Sequence, residues 1–172
     1  MPFHQLVFLI FWITACSYVA VRGGAPERIA AGAIVLAILA TTFLSFLLRP
    51  RAGAYGSMEL GVAFTDVALF ATLVALALSS ARFWPMLMAS MQGCGMMGHL
   101  AKPLAPDIIP KAYYVTVAFW AYPIILLLIV ATWRHRVRLK RYGVDYAWVW
   151  DLPRRYREDW SVNELAPPLP QN

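Results

Sequence analysis

The sequence predicts an all-α fold, a polytopic membrane helix bundle of about five transmembrane helices, and three observations carry that prediction. Apolar residues make up 60% of the 172 and charged residues only 14%, with a mean hydropathy of +0.59, well away from a soluble average. Apolar runs recur along the chain at about the 20 residues needed to cross roughly 30 Å of hydrocarbon. Short clusters of Gly, Pro and Arg separate them, and none is long enough to hold a soluble domain.

The first run, 5–21, follows no basic region, so it reads as a retained span rather than a cleaved signal. "ITAC" at 13–16 loosely matches a lipidation site, but the apolar "SYVAV" that follows disfavours processing there. The second and third spans, 29–48 and 60–80, are punctuated by "RGGAPER" and "RPRAGAYGS". The fifth, 112–133, follows "KPLAPDIIPK", whose three prolines are expected to lie outside any regular helix. Pro123 falls near the middle of that last span and is expected to free the Phe119 carbonyl and kink the helix.

The fourth run, 83–101, is less clear. "FWPMLMASMQGCGMMGHLA" has no formal charge and is long enough to cross. Pro85 suits a first helical turn, and Ser90, Cys94 and Gly98 make a small-residue stripe that permits close helix packing. The alternative is four spans with 83–101 interfacial or re-entrant. Five spans with a cytoplasmic C-terminus and an outside N-terminus place 11 Lys and Arg inside and 4 outside, against 10 and 5 for four spans, so the positive-inside rule leans towards five. Residues 1–133 then form the bundle and 134–172 a basic, Trp-rich cytoplasmic tail.

"RFWP" at 82–85, "HLA" at 99–101, "AYY" at 112–114, "WAYP" at 120–123 and "TWRHR" at 132–136 give the chain a resemblance. It resembles a group of small, uncharacterised multi-pass bacterial inner-membrane proteins, chiefly over its second half. The resemblance implies five spans and a bacterial inner-membrane location. It brings no catalytic residue.

Chemistry is sparse. "GCGMMG" at 93–98 has the letters of a dinucleotide fingerprint but sits inside an apolar helix, with neither the strand before it nor the acidic residue after it that such a site needs. Five of the seven methionines lie between 86 and 97, and thioethers with an imidazole can hold Cu(I). On a helix only Met88, Met91 and His99 share a face, spread over three turns, so core packing is preferred to a metal and no cofactor is expected. Cys16 and Cys94 lie in separate spans and suggest no disulfide.

The polar stripe of the fourth span, Gln92 and His99, is more informative. Asp66 is the one carboxylate well inside any span, and Asp66 and His99 lie 16 residues before and 17 after Arg82, where the hairpin turns. An antiparallel pair would bring them to similar depth. We therefore expect an Asp66–His99 contact, first as interhelical polar glue and second as a site linking proton and substrate binding. Thr41, Thr42, Ser45, Tyr113, Tyr114 and Thr116 are candidates to line the same pocket, or else to bond their own backbone.

Arg134, Arg136, Arg138, Lys140 and Arg141 follow Trp133 and are expected to face anionic lipid headgroups rather than nucleic acid. Trp148, Trp150 and Trp160 suit headgroups or a partner protein. No H-E-x-x-H, G-x-S-x-G, C-x-x-C or P-loop is present, so an enzyme is disfavoured. The expected function is an accessory or scaffold subunit packing with other membrane proteins or itself. A small oligomeric proton-coupled transporter using Asp66 and His99 comes second, and a Cu(I)-handling protein third.

Overall fold

The computed structural model describes residues 3–47, 55–104 and 119–152, with side chains over 6–44, 46–47, 61–97 and 119–152. These residues form five helices: α1 (Phe3–Arg22), α2 (Ala25–Leu47), α3 (Tyr55–Ser79), α4 (Trp84–Leu104) and α5 (Ala121–Tyr142), followed by a 3-10 turn at Val149–Asp151. Helix α1 packs on α2 and α5, α2 on α3, α3 on α4, and α4 on α5, so the five close into a ring, with α2 also touching α5 across it.

Two stretches, Ala25–Leu44 and Gly61–Ser79, are long and apolar enough to cross a membrane, with mean hydropathies of 1.7 and 2.1. Only 22% and 17% of them are buried in the protein. The central helix of a water-soluble fold would be mostly buried. Here Leu36, Phe43, Phe64 and Leu78 stand exposed on the outer faces instead.

The turns explain the ring. Gly23 and Gly24 join α1 to α2; Gly23 donates its N–H to the Val19 carbonyl at 2.7 Å, and Arg28 N–H returns to the Gly24 carbonyl at 3.1 Å. A Cβ on Gly23 would lie 2.6 Å from the Val19 carbonyl oxygen, so only glycine fits there. Pro26 and Pro85 are fully buried in the first turns of α2 and α4, where a missing N–H breaks no helical bond. Val19, Leu73, Met88 and Leu128 are sealed at the centre among Ala30, Ala31 and Ala131, small residues that let backbones approach.

Several boundaries differ from the sequence reading. Helix α2 begins at Ala25 rather than 29, taking Glu27 into its first turn. Helix α4 runs through Pro103 to Leu104, so one of the three prolines expected outside a helix lies in a last turn, where the hydrogen-bonded ladder is ending. Pro123 is the third residue of α5, and the helix is interrupted just before it: Phe119 is helical and Trp120 is a turn that keeps helical backbone angles (φ −66°, ψ −20°), as expected where a proline frees the Phe119 carbonyl. Helix α5 continues nine residues past Trp133 to Tyr142, because the basic run consists of good helix formers with Lys140 and Arg141 favourably placed in the last turn. Gly143 stops it at φ 72°, donating its N–H to the Leu139 carbonyl.

Replacing Gly23 with Ala is expected to cost about 1–3 kcal/mol through the clash with the Val19 carbonyl. Gly32→Ala meets nothing within 4 Å and should leave stability unchanged or slightly raised. Thermal unfolding of the two variants in one detergent checks the pair.

Candidate functional site

Two polar centres lie towards opposite ends of the ring. The first is a cavity of about 220 Å³ to which all five helices contribute. Phe8, Ile34, Ile38, Leu69 and Trp120 give it apolar walls; Thr41, Thr42, Asp66 and Gln92 supply its polar groups. Gln92, buried on α4, donates from Nε2 to Asp66 Oδ1 on α3 at 3.2 Å. Thr65 donates to the Val62 carbonyl at 2.8 Å, which leaves Thr41 as the donor in the 2.8 Å contact between their hydroxyls. Thr42 bonds back to the Ile38 carbonyl at 2.7 Å, satisfying its hydroxyl within its own helix.

The cavity thus gathers Asp66, Gln92, Thr41 and Thr42 from the sequence-derived set. The side chains of Ser45 and His99, and residues Tyr113, Tyr114 and Thr116, lie outside the described residues, so the expected Asp66–His99 pair does too. Met88 is fully buried in the apolar core and Met91 packs against it. Core packing accounts for both. Among the described residues no three His, Cys, Asp or Glu side chains cluster as metal ligands.

The second centre was not legible as a site. Arg82, between α3 and α4, is buried with 4% of its side chain exposed, and one guanidinium nitrogen pairs with the fully buried Glu27 of α2. Its other terminal nitrogen donates to Asp145 Oδ2 at 2.9 Å. His135 Nδ1 meets the same oxygen at 2.6 Å, and since an ionised carboxylate only accepts, Nδ1 carries the proton. The 3.2 Å approach of Arg82 to His135 Nδ1 is therefore two donors converging on one acceptor. Arg138 completes the set, donating Nε to Asp145 Oδ1 at 2.9 Å and Nη2 to Oδ2 at 3.3 Å.

Arg138 was grouped with the lipid-facing cations; its guanidinium is instead held by Asp145, with a third of the side chain exposed. Arg134, Lys140 and Arg141 are exposed and Arg136 is half-buried. Trp148, read as a headgroup or partner contact, packs partly buried against the chain's own core. The backbone around it is pinned as well, since the Ala147 carbonyl accepts from Ala81 N–H at 3.2 Å and from the Ser80 hydroxyl at 3.3 Å. The one available signal was Asp145 itself, a single carboxylate just after a run of five Lys and Arg.

Burial pushes the Asp145 carboxyl up, but hydrogen bonds from Arg138 and His135 and the charges of Arg82 and Arg138 outweigh it, leaving the group below the ordinary carboxylate value. Asp145 therefore titrates as a permanent anion near neutrality, and the centre acts as an ionic clasp holding residues 143–148 on the α3–α4 turn. No family model, curated protein or solved structure matches the chain.

A lowered folded-state value means that the clasp's contribution is complete above the ordinary carboxylate range near pH 4 and is lost as pH falls through the depressed value. Hydrogen exchange at the Ala81 amide, corrected for intrinsic rate, should show constant protection from about pH 7 to 5 and loss in stronger acid. Asp145→Ala, which leaves buried Arg82 with one partner fewer, should cost about 3 kcal/mol at neutral pH. Unchanged Ala81 protection in that variant would remove the clasp.

Proposed function

We propose that this is a five-span protein of a bacterial inner membrane, with its C-terminus cytoplasmic, that binds a small solute at Asp66 and exchanges a proton there as the solute moves. The observation that supports it is the cavity lined by all five helices with Asp66 and Gln92 in its wall. Ionisable side chains lining intramembrane cavities are characteristic of ion and proton pathways. At about 220 Å³ the cavity is smaller than the roughly 300–1,000 Å³ of drug-sized pockets. Aliphatic and aromatic walls with one carboxylate, an amide and two hydroxyls suit a small, largely apolar molecule carrying an amine or hydroxyl group.

Five spans draw support from the ring itself. Helices α1, α4 and α5 complete the ring with α2 and α3, and their exposed apolar residues include Ile10, Ile13, Met86, Met97 and Leu126. A medium that bathes the apolar backs of α2 and α3 bathes these as well.

An accessory or scaffold role rests on a different surface. Trp148 and Trp150 stack with ring centroids 5.2 Å apart and planes at 9°, and Trp150 and the nearby Tyr146 remain exposed. Such an aromatic platform suits a protein partner. Native mass spectrometry from the chain's own membrane that recovers a foreign subunit, lost in Trp150→Ser, would favour this reading over the carrier.

For the carrier, purified protein is reconstituted in vesicles enclosing a pH-sensitive dye and challenged with a panel of small amines and alcohols. Wild type should move protons with at least one of them, and Asp66→Asn should slow that at least tenfold at unchanged thermal stability. Silence of the wild type across the panel, or full activity of Asp66→Asn, would end the proposal.

A further inference from the structure

Where α4 and α5 diverge near the ionic clasp they leave a cleft of about 390 Å³, separate from the Asp66 cavity. One side is aliphatic, formed by Leu87 of α4 and Leu127 and Val130 of α5. The other carries Arg82, Arg134 and Arg138, with Trp84 between. Leu87 and Val130 are 37% and 40% exposed, so the aliphatic wall is open to the surroundings of the bundle.

Charge accounting singles out Arg134. Around the clasp, Arg82 and Arg138 are balanced by Glu27 and Asp145. Asp145, also in the cleft wall, has both oxygens occupied by Arg82, His135 and Arg138. Arg134, exposed on α5 at the cleft's edge, adds one positive charge that this balance leaves over. Inside the protein, Arg82 Nε, unpartnered among the described residues, is matched by a likewise unpartnered acceptor on its own ion-pair partner, Glu27 Oε2. A cation left unbalanced beside an open aliphatic wall fits an amphiphilic anion.

We propose that this cleft binds one anionic phospholipid, its phosphodiester held by the exposed guanidinium of Arg134 at the cleft's edge and one acyl chain laid along Leu87, Leu127 and Val130. The single surplus charge matches the single negative charge of a phosphodiester. The aliphatic wall adjoining it distinguishes a lipid from a free anion. Trp133 and Tyr142, aromatic residues of the kind that border lipid headgroups, line the adjoining groove with Arg134, Arg138 and the exposed Arg141. The lipid would thus occupy a defined seat rather than a diffuse basic surface.

The test is native mass spectrometry of the full chain released from nanodiscs containing equal phosphatidylglycerol and phosphatidylcholine. One phosphatidylglycerol per chain should be retained, in at least tenfold excess over phosphatidylcholine. Arg134→Gln, an exposed position outside the clasp, should reduce that retention at least fivefold, and Leu87→Trp, which fills the aliphatic wall, should do the same with the cations intact. Equal retention of the two lipids, or retention unaffected by both variants, overturns the proposal. Displacement of the lipid by 10 mM inorganic phosphate as readily as by short-chain phosphatidylglycerol would reduce the cleft to an anion site and overturn the acyl-chain assignment.

Discussion

The placement of the Arg82 guanidinium inside the protein governs much of what surrounds it. Removing that charge from water costs several kcal/mol, and the cost is offset only when carboxylates and good hydrogen-bond geometry come with it. Two carboxylates do so, from opposite directions in the sequence: Glu27 in the first turn of α2 and Asp145 just after α5. Each depends on a glycine. The Gly23–Gly24 turn lets α2 start early enough to present Glu27, and Gly143 at positive φ ends α5 early enough for Asp145 to fold back. A Cβ on Gly24 would also press within 3.1 Å of both Glu27 Oε2 and the His135 ring, so this turn has little room beside the clasp.

With one end of the bundle fixed in this way, α2, the α3–α4 turn and α5 are tied together. Fourteen residues separate Glu27 from Thr41 on α2, and fifteen separate Trp120 from His135 on α5, which at 1.5 Å per residue puts the Asp66 cavity roughly 20 Å from the clasp. The clasp is dense with charge-assisted bonds. The cavity is bounded by apolar contacts, the Gln92–Asp66 bond and the threonine hydroxyls.

Much of this was legible in the sequence because it depends on local pattern. Uninterrupted apolar runs marked the helices, Pro85 marked a first turn, and the polar face of α4 marked Gln92, which the structure joins to Asp66. What was not legible depends on contacts distant in sequence. Glu27 looked like linker punctuation and Asp145 like tail polarity, since nothing in "GGAPER" or "YGVDYAW" announces a partner 55 or 63 residues from Arg82. The boundary at Trp133 was drawn where hydropathy falls, but a helix ends where its backbone bonding ends, and Gly143 decides that. Trp148 was read by composition as a surface residue; the backbone bonds at Ala147 turn it onto the core.

Arg82 and Arg138 also bear on how charge bias and ion pairing coexist. On the five-span reading both count towards the positive side, although in the folded protein each is neutralised by a carboxylate. There is no conflict, because the bias that orients a chain weighs Lys and Arg near the span ends and gives Asp and Glu little weight, whereas Asp145 pairs with them only after α5 and the α3–α4 turn have come together. The same guanidinium groups would act first as charges on separate segments and afterwards as hydrogen-bond donors in one cluster. Of the three arginines lining the cleft, only Arg134 stays outside that second role, and its charge remains available to whatever surrounds the bundle.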